Sequence, residues 1–120
     1  MLSSPHRLRS GGDIRATTRR GRRAGSRTVL AHARLGVRGP AEPTRVAFVV
    51  GRQVGNAVTR NQVKRRLRAQ MRPRLTSVPG GSDLVLRALP AAATASSPTL
   101  SSDLDRVLGR LAPAPERSGR

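Results

Sequence analysis

The sequence predicts one α+β domain, a small two-layer sandwich in which helices pack on a mixed β-sheet. The first observation behind this prediction is the order of the segments, which run helix, strand, strand, helix, strand, helix. The second is the length, because 120 residues suit one domain with a thin core. The third is the composition: Phe48 is the only aromatic residue, so Val, Leu, Ala and Ile must form the core.

The first half of the chain contains one helix and two strands. Residues 10–20 predict a short helix, with Ser10 as its N-cap and Asp13 at the third position of its first turn. The β-branched and apolar residues of 27–34 predict a strand. The nearly continuous apolar run of residues 45–51 predicts a second strand that is buried.

A second helix is expected at about residues 57–72, because Gly55 and Asn56 turn the chain before it and Pro73 helps to end it. At about 100° per residue, its apolar side chains fall within about 80° of one another and form a stripe that can pack on a core. These side chains are Val63, Leu67 and Met71.

The last elements follow a Pro-Gly-Gly loop. Residues 83–89 predict a third strand, with partial alternation of apolar side chains. Residues 101–111 predict a third helix from the spacing of their Leu and Val residues, and Ser101 or Ser102 could cap it.

We expect residues 1–111 to form the domain, with residues 1–8 loose, and residues 112–120 to form a disordered tail. The first 30 residues are rich in Arg and Ser and poor in acids, as transit peptides are. They lack the apolar core of a secretory signal, and we interpret them as part of the domain.

The second helix carries a dense basic face. Residues 51–74 contain eight basic residues and no acidic one. Lys64 and Arg72 each lie four residues from Arg68, a spacing at which like charges repel by roughly 0.2–0.5 kcal/mol. A polyanion would relieve this repulsion; the alternative is an ordinary solvated face, which usually mixes both signs of charge. The side chains on this face are Asn61, Lys64, Arg65, Arg68 and Arg72.

The whole chain is strongly basic. Its 24 Lys and Arg residues and 6 Asp and Glu residues give a net charge of +18 and a pI of about 12.0. Such a field attracts nucleic acid or an anionic membrane. We expect no membrane partner, because the chain has no long apolar run and no Trp or Tyr anchor. All but one of the basic residues are Arg, whose guanidinium binds phosphate bidentately and stacks on bases.

The residues that could hydrolyse a substrate are dispersed. His6 and His32 fall in separate predicted elements. Asp103 and Asp105 point to different faces of the third helix, where we interpret them as capping and solvated residues. We therefore predict no catalytic residue and no metal site on the protein. The absence of cysteine excludes disulfides and thiolate metal sites, and it fits a reducing, cytoplasmic location.

The most specific motif is residues 54–68, which read VGNAVTRNQVKRRLR. With this motif the chain resembles the protein subunit of bacterial ribonuclease P, whose family has Gly-Asn-Ala-Val leading into Arg-Asn-Arg-x-x-Lys-Arg-x-x-Arg. Arg7, Asp13, the strand before the motif and the final strand and helix also match, so the resemblance covers about residues 5–111. Gln62 stands where the family has Arg, which removes one charge from the helix.

The resemblance implies a fold and a mechanism. The fold would contain a left-handed βαβ crossover around the basic helix, like the second domain of ribosomal protein S5 and against the usual right-handed rule. The enzyme would remove the 5′ leader of precursor tRNA by hydrolysing one phosphodiester bond, with an RNA subunit and its magnesium ions as the catalyst. The protein would bind no cofactor. Its partners would be the ribonuclease P RNA and the precursor tRNA 5′ leader, which would lie in a cleft between the first helix and the sheet.

The resemblance also assigns residues to two surfaces. The family's leader cleft usually has aromatic residues where this chain has Ile14, Thr18 and His32, so leader binding would depend on charge and on His32. A flexible basic arm is the alternative for the arginines of the first helix. The residues expected to bind the catalytic RNA are Arg52, Asn56, Arg60, Asn61, Lys64, Arg65, Arg68 and Arg72. Those expected to bind the leader are Arg7, Ile14, Arg15, Thr18, Arg19 and His32.

Three other functions fit the sequence less well. A structural RNA-binding protein, such as a small ribosomal protein, need not carry the motif of residues 54–68. A DNA-compacting nucleoid protein usually has Lys/Pro/Ala repeats or a dimerising arm, which this chain lacks, so we expect no DNA partner. A protein nuclease that acts alone would need clustered carboxylates or histidines.

Overall fold

A computed structural model describes residues 4–112 of the chain. These residues form three α-helices and four β-strands, joined in places by short 3₁₀ turns. The helices are α1 (Gly11–Arg20), α2 (Ala57–Met71) and α3 (Ser97–Leu111). The strands are β1 (Arg22–Gly25), β2 (Val29–Arg34), β3 (Arg45–Val49) and β4 (Asp83–Ala88). The predicted α+β class is confirmed.

The four strands form one mixed sheet in the order β1-β2-β4-β3. β2 pairs antiparallel with both β1 and β4, whereas β3 and β4 are parallel. α2 lies between the two parallel strands along the chain, so β3, α2 and β4 form the βαβ crossover that the resemblance implies. Its left hand stays a prediction, since strand order and direction do not determine it.

The two faces of the sheet bury different side chains, as the alternation along each strand requires. One face packs against α2 and α3 and forms the larger core, in which Val46 and Leu84 are at most 2% exposed. On the other face, Val85 packs with Leu8 and with the partly buried Ile14 of α1. The first helix and the basic helix therefore lie on opposite sides of the sheet.

A buried carboxylate joins α1 to the sheet. The side chain of Asp83, at the start of β4, has no exposed surface. Its oxygens accept hydrogen bonds of 3.2, 3.1 and 2.9 Å from the guanidinium groups of Arg34, Arg38 and Arg45. Burial alone would raise the pKa of Asp83, but the hydrogen bonds and charges of Arg45 and Arg38 hold it below its usual value. Arg45 also donates to Asp13 at 3.2 Å, which fixes the first turn of α1.

The sequence does not predict β1. Only Ala24 of its four residues is buried, and the strand forms by pairing with β2. α3 holds the turn between them, because buried Asp103 accepts hydrogen bonds from the Thr28 hydroxyl at 2.5 Å and the Thr28 N–H at 3.3 Å. The interpretation of Asp103 as a capping or solvated residue is therefore wrong. Asp105 is exposed and pairs with Arg74.

The third helix begins earlier than predicted. α3 starts at Ser97, and the Ser96 side chain caps it by accepting the Thr99 N–H at 3.2 Å. The prediction of an N-cap at residues 101–102 is wrong. Pro98 lies in the first turn, where its missing N–H removes no helical hydrogen bond.

The prediction that residues 1–8 are loose is wrong for residues 4–8, which run beside the outer edge of β3, while residues 1–3 lie outside the described residues. Arg7 forms a bridge with Val46, and the Leu8 N–H donates to the Val46 carbonyl at 3.0 Å. This order comes from a tertiary contact that a local pattern does not reveal. The predicted tail lies outside the described residues, except for Ala112.

Candidate nucleic-acid interface

Two residues shape the start of α2 where the sequence predicts it. Asn56 is the N-cap, and its Oδ1 accepts the Thr59 N–H at 2.9 Å. Gly55 passes close to the same turn, because a Cβ atom there would lie 2.8 Å from Thr59 Cγ2. The Gly-Asn pair of the motif therefore directs the chain into the basic helix. The cap uses one lone pair of Asn56 Oδ1 and does not involve the amide NH₂ group.

The apolar stripe of α2 is buried as predicted. Its three side chains, Val63, Leu67 and Met71, are at most 1% exposed. Their packing sets the rotation of the helix and turns the polar arc towards solvent. Four residues of that arc line a shallow cavity of about 280 Å³. They are Asn61, Lys64, Arg65 and Arg68.

Three cations of this arc form no salt bridge within residues 4–112. They are Lys64, Arg65 and Arg68, and Arg60, near the start of the helix, forms none either. Arg66 and Arg74 differ, because Arg66 Nη2 donates to the Ala95 carbonyl at 2.6 Å and Arg74 Nε donates to Asp105 at 2.7 Å. The predicted set of RNA-binding residues leaves out these same two arginines.

Two exposed arginines extend the arc beyond both ends of α2. Arg52 lies in the 3₁₀ turn Arg52–Val54 that precedes the helix, and Arg72 is the C-cap residue. A helix of 15 residues is about 22 Å long. We call the surface from Arg52 to Arg72 the basic face of α2.

A cleft of about 310 Å³ lies beside the basic face, at the outer edge of β3. The N-terminal segment, α1 and α2 all contribute to its walls. Its apolar side chains suit bases, and its three arginines suit phosphates. We call it the edge cleft. Its lining residues are Arg7, Leu8, Arg9, Ile14, Val46, Ala47, Phe48, Val49 and Arg68.

The structure places the predicted leader-binding residues on more than one surface. Arg7 and Ile14 line the edge cleft. Arg15 and Arg19 are exposed and line a separate shallow cavity of about 280 Å³ on the outer side of α1. The Thr18 hydroxyl is engaged within the helix, because it donates to the Ile14 carbonyl at 2.9 Å. The set is therefore not one surface.

His32 lies on β2 and is 7% exposed, outside the lining of the edge cleft. It sits between Arg23 of β1 and Val85 of β4 in the sheet register. Burial first, and then the charges of Arg23 and Arg87, lower its pKa, so the ring is neutral at pH 7. A ring this buried offers little surface on which a base can stack.

Among the cleft residues that the sequence did not assign to a site, Phe48 is the aromatic one and Arg9 the charged one. Phe48 belongs to the edge strand, and its ring is only partly buried, whereas the apolar run of residues 45–51 predicts a buried strand. Arg68 Cζ lies 5.9 Å from the centroid of that ring. Phe48 can be assigned to the cleft only when β3 is known to lie at the edge of the sheet. That position follows from the strand order and not from a local pattern. Arg68 lines both the edge cleft and the basic face.

The interface offers cations, amides and one aromatic ring, which suit a phosphate backbone and unpaired bases. Within the part of the chain that the structure describes, no three His, Asp or Glu side chains are grouped to hold a metal ion. No described helix is both long and apolar enough to cross a membrane.

Known proteins resemble this chain over nearly its whole length. A family model described as Ribonuclease P matches residues 2–112. The ribonuclease P protein component of a Nocardioides species is 54% identical over 111 residues, which cover 92% of this chain and 95% of that protein. The component of Streptomyces avermitilis is 48% identical over 117 residues, with the same two coverages of 92% and 95%.

Solved structures share the fold. The RNase P protein of Staphylococcus aureus matches with a TM-score of 0.76 at 20% identity, over 88% of this chain and 94% of that one. The RNase P protein of Thermotoga maritima, in complex with 1-(4-fluorophenyl)-2-thiourea, matches with a TM-score of 0.74 at 24% identity, over 87% of this chain and 98% of that one. At these identities the likeness shows the fold alone.

Proposed function

This chain belongs to the ribonuclease P protein family, and we propose that its basic face binds the catalytic RNA while its edge cleft binds the precursor tRNA leader. Its relatives are protein components of ribonuclease P, the ribonucleoprotein endonuclease of tRNA processing. The chain is accordingly the protein cofactor of that ribozyme, and its partner is the ribonuclease P RNA. Its own contribution is to bind, because the RNA carries the chemistry.

The basic face of α2 carries the first assignment, because four of its cations, Arg60, Lys64, Arg65 and Arg68, form no salt bridge within the described residues. Its cations repel one another until an anion binds, so part of the binding free energy is relief of that repulsion. The buried stripe of α2 fixes the rotation of the helix and therefore the direction in which the face points. Such a surface suits the phosphates of a folded RNA. The residues proposed to contact it are Arg52, Asn56, Arg60, Asn61, Lys64, Arg65, Arg68 and Arg72.

The size and lining of the edge cleft support the second assignment. A cavity of about 310 Å³ can accept part of one strand but not a duplex. Unpaired bases would meet its apolar lining, while Arg7, Arg9 and Arg68 would contact phosphates. Arg15 and Arg19 would continue the phosphate path along α1. Buried His32 would shape the sheet and not stack on the leader.

The remaining components follow from this proposal. The magnesium ions of the reaction would belong to the RNA subunit, in keeping with the dispersed carboxylates of this chain. The location would be cytoplasmic, because bacterial tRNA precursors are made there. Neither a membrane nor DNA would be a partner.

Cleavage of a 5′-extended precursor tRNA at low magnesium tests the cofactor role. The assay compares bacterial ribonuclease P RNA alone, the protein alone, and the mixture. We expect only the mixture to cut efficiently at the mature 5′ end. If the protein binds RNA tightly but adds nothing to cleavage, it is a structural RNA-binding protein.

Two sets of variants test the assignment of surfaces. Substitution of Lys64 or Arg65 by Gln should weaken assembly with the RNA, whereas substitution of Arg15 or Arg19 by Gln should weaken substrate binding and leave assembly intact. Arg106→Gln, on the exposed side of α3, is the control with the same loss of charge. If both sets affect assembly and substrate binding alike, there is only one surface.

A further inference from the structure

Phe48 is the only aromatic residue of the chain, and it lines the edge cleft. Part of its ring packs against the core, which holds it in place. Arg68 Cζ lies 5.9 Å from the ring centroid, within the range of a cation–π contact of about 6 Å. The edge cleft therefore contains a guanidinium group held over an anchored ring.

This arrangement prepares Arg68 to receive a base. A free arginine side chain must give up rotamer freedom when it binds RNA, and a ring that holds it beforehand reduces that loss. A guanidinium packed on an aromatic ring still has an outer plane on which a base can stack. Its N–H groups remain available at the edge for a phosphate. Stacking of this kind accepts any of the four bases.

We propose that Phe48 and Arg68 form a stacking platform for one unpaired base of the precursor tRNA leader. Arg68 contacts the base, and Phe48 is a positioning residue beneath it. This inference rests on the proposed binding of the leader in the edge cleft and adds a base-recognition position to it. The platform supplies the stacking surface that Ile14 and Thr18, which are not aromatic, do not provide.

The platform lies where the two proposed RNA surfaces meet. Arg68 lines the cavity of the basic face together with Asn61, Lys64 and Arg65, and it also lines the edge cleft. An Arg68 variant would disturb both surfaces at once. Of the two proposed RNA surfaces, Phe48 lines the edge cleft and not the cavity of the basic face, so it is the residue that tests the platform.

An abasic scan of the leader provides the test. Holoenzymes are reconstituted from bacterial ribonuclease P RNA and either wild-type or Phe48→Leu protein. Each binds precursor tRNAs that carry one abasic nucleotide at successive leader positions. With wild-type protein, removal of one particular base should weaken binding by about 5- to 160-fold. With Phe48→Leu, which keeps apolar volume without a ring, the intact leader should bind more weakly and that abasic penalty should vanish.

Control variants separate stacking from folding. Phe48→Tyr should restore the abasic penalty, because it restores a ring. Phe48→Trp places a single Trp in a chain that has no Trp or Tyr. Its fluorescence should change more with a single-stranded leader oligonucleotide than with the same oligonucleotide made abasic at the identified position. An equal response to both oligonucleotides would overturn the platform.

The outcomes also distinguish this inference from the proposed function. If the wild-type holoenzyme binds precursor tRNA no more tightly than leaderless tRNA, leader binding itself fails, and the platform with it. If the leader adds affinity but Phe48→Leu retains the full abasic penalty, only the platform fails. An equal loss of affinity by Phe48→Leu for leaderless tRNA would also overturn the platform.

Discussion

Replacement of Asp83 by Asn should destabilise the fold, because three arginines share this carboxylate. The Asp83 side chain has no exposed surface, whereas the side chains of Arg34, Arg38 and Arg45 are 20–23% exposed. Asparagine keeps the size and one acceptor oxygen but loses the charge. Three guanidinium groups would then converge on a neutral amide.

The expected loss lies at the lower end of the range for broken buried ion pairs. Removal of one partner of such a pair costs about 3–5 kcal/mol. Water reaches all three arginines, and Asp13 still pairs with Arg34 at 3.6 Å and with Arg45 at 3.2 Å. Both effects screen the remaining repulsion. We therefore expect a loss of about 3 kcal/mol, a large share of the 5–15 kcal/mol typical of a domain.

Urea unfolding followed by circular dichroism measures this loss as a change in the free energy of unfolding. Glu42→Gln makes the same change from carboxylate to amide at a surface site. Glu42 is 57% exposed and lies 3.9 Å from Arg38, so its substitution should change the free energy of unfolding by less than about 0.5 kcal/mol.

The dependence on pH provides a second readout. The pKa of Asp83 is lowered in the folded state, so its stabilisation is present above the unfolded-state pKa of about 3.9 and is lost as pH falls through the folded-state value. Asp83→Asn should therefore lose less stability than wild type on acidification. The reasoning is refuted if this variant unfolds at the same urea concentration as Glu42→Gln, or if acid destabilises it as steeply as wild type.

Leu67→Ala should lower the free energy of unfolding by about 2–5 kcal/mol, because Leu67 is fully buried and the change leaves a cavity; wild-type stability in urea would contradict the packing of α2. Thr28→Val should cost about 1–3 kcal/mol, because buried Asp103 loses its bond from the Thr28 hydroxyl. An unchanged urea midpoint would show that this bond contributes nothing. Arg65→Gln should reduce the slope of log affinity for ribonuclease P RNA against log salt by about 1, as filter binding at several salt concentrations measures. The slope for Arg106→Gln should equal that of wild type, and an equal reduction would mean that the basic face is not the RNA contact.

Much of α2 follows from local sequence. The apolar stripe through Leu67 repeats with the period of a helix, which is visible in the sequence before any packing is known. Asn56 is also recognisable locally, because its side chain is one that caps helices. β1 does not follow, because Ala24 is its only buried residue and the strand depends on its partner β2. The start of α3 is ambiguous locally, because Ser97, Ser101 and Ser102 have the same capping side chain as Ser96.

The basic face and the edge cleft also differ in how far the local sequence predicts them. The basic face lies on one helix, so spacing alone brings Lys64, Arg65 and Arg68 together. The edge cleft joins residues that are far apart in the chain, from Arg7 to Arg68. No local pattern indicates that neighbourhood, or that Phe48 lines a cleft. The cleft forms because β3 lies at the edge of the sheet, and that position depends on the order of all four strands.

The contact between the N-terminal segment and β3 also has a consequence for self-association. An open strand edge presents unpaired N–H and C=O groups that can template pairing with another copy. Arg7 and Leu8 occupy part of the β3 edge, and the opposite edge, β1, is short and carries Arg22 and Arg23. The segment that lines the edge cleft thus also shields the sheet against aggregation. A chain shortened past Leu8 would lose a wall of the edge cleft and would also expose the edge of β3 to pairing with another copy.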